Sequence, residues 1–198
     1  MPTVEEFRSA LKGADPFDIV ERFLLDDNAL HVSAENIEYI RRALAASYGV
    51  NADDVQVIIT GSAKLGFSVT EKRRPSGDLL RYRPFSPLSD IDVAVISSPI
   101  FDVLWHELSA YSHRAVRLPH DTGPLGDYLV CGWIRPDHFP KDVRLPYCDS
   151  WWDTFKRLSA NSRFNRRQVR GGAFNSITHL NQYLVRAVRE CIIQEEAQ

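Results

Sequence analysis

Apolar residues recur at three- and four-residue intervals at Ile37, Ile40, Leu44 and Tyr48, the spacing of one helix face. Ser33 stands where such a helix needs an N-cap, and Gly49 and Asn51 end the pattern. Upstream, residues 3–12 and 16–26 read as two shorter amphipathic helices divided by Gly13 and Pro16. The period then changes. Val55-Gln56-Val57-Ile58-Ile59 is rich in β-branched residues and predicts a strand. Ile91–Ile96 is apolar except at Asp92 and predicts a central, buried strand. Between them, Leu65–Val69 and Leu79–Tyr82 read as a hairpin around the turn-forming residues 72–78, and Pro84 and Pro87 break the chain before Asp90. Ser98-Pro99 opens a helix over residues 100–115, with Phe101, Leu104, Trp105 and Leu108 on its apolar side. Prolines and glycines punctuate residues 116–149, where only Tyr128–Ile134 reads as a strand. Trp151–Leu158 and residues 175–193 predict helices, separated by a basic loop, Arg163–Gly172. That order predicts an α/β or α+β domain, a small mixed sheet flanked by helices.

Composition narrows the class. The 198 residues fit a single domain, with a core over about 33–135 and a helical C-terminal part over about 150–198. Hydrophobic residues at 44% and charged residues at 25% are those of an ordinary globular protein, and a net charge of −2 selects no partner. Three cysteines without a C-x-x-C spacing argue against a zinc site and a disulfide framework, and predict a reducing cytoplasm. The N-terminus lacks the basic start and apolar core of a signal peptide. No apolar run approaches the roughly 20 residues that span a bilayer, so no membrane partner is expected.

The chemistry concentrates at two places. Asp90 and Asp92 are separated by one residue on a strand, which turns both carboxylates to one face. Such a pair holds a divalent cation, and magnesium, which takes oxygen ligands, suits it. Upstream, Gly61-Ser62 ends an apolar strand, where backbone N–H groups and a hydroxyl can meet phosphate, and Lys64 follows two positions on. Together these features point to metal-assisted transfer of a nucleotidyl group, which needs alignment and charge neutralisation more than covalent help. A basic run, Lys156, Arg157, Arg163, Arg166, Arg167 and Arg170, is interleaved with Trp151, Trp152, Phe155, Phe164 and Phe174. Arginine forks bind phosphate, and aromatic faces stack bases, so Arg163, Arg166 and Arg167 are candidate nucleotide contacts. Trp152 and Phe155 also stand at helical spacing, the signature of core packing. The six histidines show no ligand spacing, no G-x-S-x-G motif is present, and Gly171-Gly172 is too short for a phosphate loop.

Thr60-Gly61-Ser62 followed by Ser89-Asp90-Ile91-Asp92-Val93 resembles the polymerase β-like nucleotidyltransferase superfamily, over roughly residues 50–115. The resemblance implies a nucleotidyltransferase fold in which Gly61 and Ser62 hold the triphosphate and Asp90 and Asp92 bind magnesium. It implies transfer of a nucleoside monophosphate to a hydroxyl acceptor with release of pyrophosphate. Small members of this kind modify antibiotics or toxin partners, or make nucleotide signals in antiviral defence. A nucleic-acid or protein acceptor, and an oligomer or regulatory partner, are compatible with it.

Two departures stand out. The segment between Ser62 and Asp90 is long, and carries Lys72, Arg73, Arg74, Arg81 and Arg83 on the expected hairpin, either to clamp nucleotide or nucleic acid or as a solvated surface hairpin. Such enzymes also place a third carboxylate on a later strand. Asp127, just before Tyr128-Leu129-Val130-Cys131, is the first choice for it, ahead of Asp137, Asp142 and Asp149. Without a third acid, the same fold would serve a non-catalytic nucleotide- or nucleic-acid-binding subunit. A further reading makes Trp151-Trp152 the exposed anchor of a partner surface.

Overall fold

A computed structural model describes residues 2–26, 28–71, 77–78, 80–114, 126, 129–139 and 143–197. The chain begins with α1 (Val4–Leu11), whose first turn is closed reciprocally. Glu6 N donates to Thr3 Oγ1 at 3.1 Å, and Thr3 N donates to Glu6 Oε2 at 2.7 Å. Next comes α2 (Pro16–Val20), which continues as a wider turn over Glu21–Leu25. Helix α3 (Ala34–Tyr48) is capped by Ser33 and stops at Gly49 in the left-handed region, as the pattern predicts.

Four strands form one sheet: β1 (Gln56–Thr60), β2 (Ile91–Ile96), β3 (Trp133–Ile134) and β4 (Val169–Phe174). Their spatial order is β1-β2-β4-β3, with β2 and β4 parallel and the other two pairs antiparallel. Further helices among the described residues are α4 (Gly61–Leu65), α5 (Ser98–Arg114), α6 (Pro146–Ala160) and α7 (Ile177–Glu196). The mixed α/β class read from the sequence is the one observed.

The strand period of two divides the core. Val57, Ile59, Ile91, Val93 and Val95 pack against α3, α5 and α6 through Ile40, Leu44, Leu104, Cys148 and Trp151. Ile58, Ala94, Ile96 and Phe174 face the other way, toward α1, α2 and α7 through Phe7, Ile19, Leu180 and Leu184. Helix α6 is capped by a carboxylate from α5, since Tyr147 N and Cys148 N donate to the two oxygens of Glu107 at 3.0 and 2.8 Å.

Several sequence expectations change. Residues 169–172, read as basic loop, belong to β4 in the interior of the sheet, so the C-terminal part is not only helical and supplies a central strand. Glycine hid this strand. A Cβ added at Gly171 would meet the Phe155 ring at 2.2 Å, so α6 lies on bare backbone there. Of the strand expected over Tyr128–Ile134, Tyr128 lies outside the described residues, and among residues 129–134 only Trp133–Ile134 pairs, because a turn closed by Gly132 N on Leu129 O at 3.0 Å precedes it. Leu65–Val69 is not a strand. Leu65 ends α4, Gly66 turns left-handed, and Phe67 alone bridges to Pro84.

On the expected hairpin, Lys72, Arg73 and Arg74 lie outside the described residues. Arg81 and Arg83 bind protein atoms instead of reaching out as a clamp. Arg81 Nη1 is 3.7 Å from Glu195 Oε1, and Arg83 Nη2 donates to Ser68 Oγ at 3.2 Å. Among the described residues, no helix is long and apolar enough to cross a membrane.

Candidate functional site

Strands β1 and β2 are antiparallel, so the end of one and the start of the other fall at the same edge, and the register sets Thr60 beside Asp92. Past Thr60 the chain turns through Gly61, at φ +64°, into α4. A Cβ at Gly61 would lie 2.9 Å from Asp92 Oδ2. Glycine is therefore required twice, for the left-handed backbone and for the room beside the carboxylate. The two halves of the motif, far apart in sequence, meet here. Asp90 immediately precedes β2, two residues before Asp92, and Asp92 alternates onto the face that also carries Ala94 and its register partner Ile58.

The turn that delivers Asp90 is fixed by its neighbours. Ser86 N donates to Ser89 Oγ at 3.0 Å, and Ser89 N donates to Ser86 O at 3.0 Å. Arg167 donates to the carbonyls of both serines and lies 4.6 Å over the Phe85 ring. His31 stacks on Phe85 at 4.2 Å, while His31 N donates to Ala63 O at 3.1 Å, which ties this cluster back to α4. Burial, and secondarily the charge of Arg167, hold the His31 imidazole below its ordinary pKa.

Strand β4 completes the edge. Its parallel register places Arg170 beside Asp92. Arg170 Nε is 3.4 Å from Asp90 Oδ2, and its Nη2 donates to Gln168 Oε1 at 2.9 Å. The β4 position in register with Asp92 thus carries a guanidinium. Sequence reading missed this, although Val169 and Ala173-Phe174 around a glycine pair were the available signal of a strand.

The other candidates are dispersed. Ser62 is half-buried in the first turn of α4, next to Gly61. Lys64, expected at phosphate, is buried instead, and its ammonium donates to the carbonyl of Asp26. Arg163 pairs with Glu35 at 2.7 Å and lies over the Tyr39 ring, away from an open phosphate-binding pose. Arg166 is exposed, with φ at 54°.

Asp127 and Asp142 lie outside the described residues. Asp137 pairs with Arg135 at 2.5 Å, and Asp149 belongs to the first turn of α6. Among the described residues, no group of three or more His, Cys, Asp or Glu is gathered for a metal. The aromatic residues of the basic run are structural. Trp151, Phe155, Phe164 and Phe174 are buried, and the half-buried Trp152 donates its indole N–H to Pro136 O at 3.1 Å. Burial of Trp151 removes the exposed tryptophan anchor.

No family model matches the chain, and no curated protein or solved structure is significantly similar to it. Function must be argued from the site itself. Its donor set fits a hard divalent cation, since Asp90 and Asp92 offer oxygen alone, from one face, at a sheet edge where Asp90 keeps 28% side-chain exposure.

Proposed function

We propose that this chain binds a nucleoside triphosphate at the edge formed by Gly61, Ser62, Asp90 and Asp92, and transfers its nucleotidyl group to a hydroxyl acceptor. The observation that carries the reading is the close approach of Gly61 to the Asp92 carboxylate, where a methyl group would stand at 2.9 Å.

In this reading the acceptor oxygen bonds to the α-phosphorus as its proton passes to solvent, the bond from that phosphorus to the bridging oxygen breaks, and pyrophosphate leaves. Magnesium would be held by Asp90 and Asp92 and would supply neutralisation of charge on the phosphates. Gly61 lets the backbone pass close enough for the amides and hydroxyl of the Gly61-Ser62 turn to face that charge. Arg167 keeps the Ser86–Ser89 turn, and hence Asp90, in place. The acceptor is the hydroxyl of a nucleotide, an RNA or a protein, and a nucleotide signal made in antiviral defence is one such product.

Arg170 favours a second reading, in which the fold binds nucleotide without turning it over, because a guanidinium cannot take a proton from an attacking hydroxyl. One experiment separates the two. Each α-labelled nucleoside triphosphate is incubated with magnesium and wild-type protein, beside a variant with Asp90→Ala and Asp92→Ala. Label in a small product, a ladder or the protein itself, lost in the variant, supports the enzyme. Nucleotide retained without product supports the binder. Equal product from both proteins refutes the acid site.

A further inference from the structure

Cation balance at the sheet edge leads beyond that reading. Asp92 is the register neighbour of Arg170 on β4, and Asp90, two residues before it, lies against the same guanidinium. Its guanidinium is held from two sides, by Asp90 Oδ2 at 3.4 Å and by the amide oxygen of Gln168 at 2.9 Å. Neither partner is deeply buried, since the side chains of Arg170 and Asp90 retain 47% and 28% exposure. The arginine is thus an integral part of the acid site, fixed by backbone register and yet in reach of whatever binds there.

An acid pair that accepts two divalent ions sets them about 3.5–4 Å apart. A guanidinium already placed against one carboxylate occupies that neighbourhood and repels a second cation. It also returns one positive charge to a pair that carries two negative charges. Resting on the nucleotide reading above, we propose that Arg170 stands in for a second metal, so that the Asp90–Asp92 site takes one divalent cation with its phosphate ligand. Arginine suits this place because it stays protonated and its planar fork meets carboxylate on one side and phosphate on the other.

The test uses manganese with inorganic tripolyphosphate, which carries the phosphate chemistry without a base or a transferable nucleotidyl group. Manganese retained per chain is measured by equilibrium dialysis, with the Asp90→Asn, Asp92→Asn double variant as baseline. Electron paramagnetic resonance then reports whether bound ions are spin-coupled. Wild type is expected to retain one uncoupled manganese ion, and Arg170→Lys, which keeps the charge, likewise one. Arg170→Gln is expected to retain two, with a coupled spectrum. Two coupled ions in wild type overturn the inference and leave the acid-site reading intact. So does one ion in Arg170→Gln when its thermal unfolding matches wild type. Retention by wild type no greater than baseline overturns the acid-site reading itself, and this inference with it.

Discussion

Replacing Gly61 by alanine separates two costs that the structure predicts at one position. The first is backbone. At φ +64° an alanine occupies the left-handed region, for about 1–2 kcal/mol. The second is contact. The new methyl would stand 2.9 Å from Asp92 Oδ2, whereas Cβ and Cγ of Asp92 are at an ordinary 3.8 Å. Only the carboxylate oxygen must move, and a side chain turned about 30° from its rotamer costs about 0.5–1.5 kcal/mol.

The single variant should therefore lose about 1.5–3.5 kcal/mol, which for a domain of this size lowers the melting temperature by about 2–4 °C per kcal/mol. In an Asp92→Ala background the oxygen is gone. There Gly61→Ala should cost only the backbone part, and the coupling energy should be about 0.5–1.5 kcal/mol. Urea unfolding of the four proteins in this cycle measures it. Manganese affinity of Gly61→Ala alone should fall as well, because the displaced oxygen is a proposed ligand. Zero coupling within error would refute the claim that the two motif halves press on one another.

Two further outcomes follow from interactions away from this edge. Glu107→Gln should cost about 1–2 kcal/mol in thermal or urea unfolding, because a negative charge accepting the first N–H groups of α6 is removed; an unchanged midpoint would show that the cap contributes nothing. Stability should also fall in acid. Hydrogen bonds from Arg41 and then Arg42 lower the Glu38 carboxyl from 4.5 to about 2, and the Tyr82 hydroxyl, followed by Arg8, lowers that of Glu195. Both groups are depressed in the folded state, so their contribution is full above the ordinary carboxylate range and is lost as pH falls through it, for Glu38 from 4.5 toward about 2. Unfolding curves taken across that window should flatten in a Glu38→Gln, Glu195→Gln double variant, and an unaltered slope would contradict the assignment.

Local signals were strong where one residue type answers one physical need. Ser33 and Gly49 bound α3 because a cap hydroxyl and a left-handed glycine have few substitutes. The acid pair and Gly61-Ser62 were legible because a strand turns alternate residues to one face and a turn demands glycine. What escaped was non-local. Strand β4 is made by pairing with β2 and β3, and its own Gly171-Gly172 reads as loop until Phe155 is known to lie on it. Lys64 looked like a phosphate ligand by spacing, yet α4 turns it inward to Asp26, a contact set by tertiary packing.

The same non-local contacts change what the basic run means. In sequence, Arg163, Arg166, Arg167 and Arg170 form a dense positive patch next to aromatic residues, which favours a long nucleic-acid ligand. In the fold, Arg163 is paired with Glu35, Arg167 with the carbonyls of Ser86 and Ser89, and Arg170 with Asp90. Phe155, Phe164 and Phe174 are in the core, so they present no stacking face. A polymer tracked by electrostatics needs several uncommitted cations along its backbone. Here three of these four arginines are engaged with the protein, Arg167 and Arg170 around Asp90, and Arg166 is exposed. On the proposed function, charge on a triphosphate would be met chiefly by a divalent ion at Asp90 and Asp92. That arrangement favours a compact ligand such as a single nucleotide over an extended strand running along the basic segment.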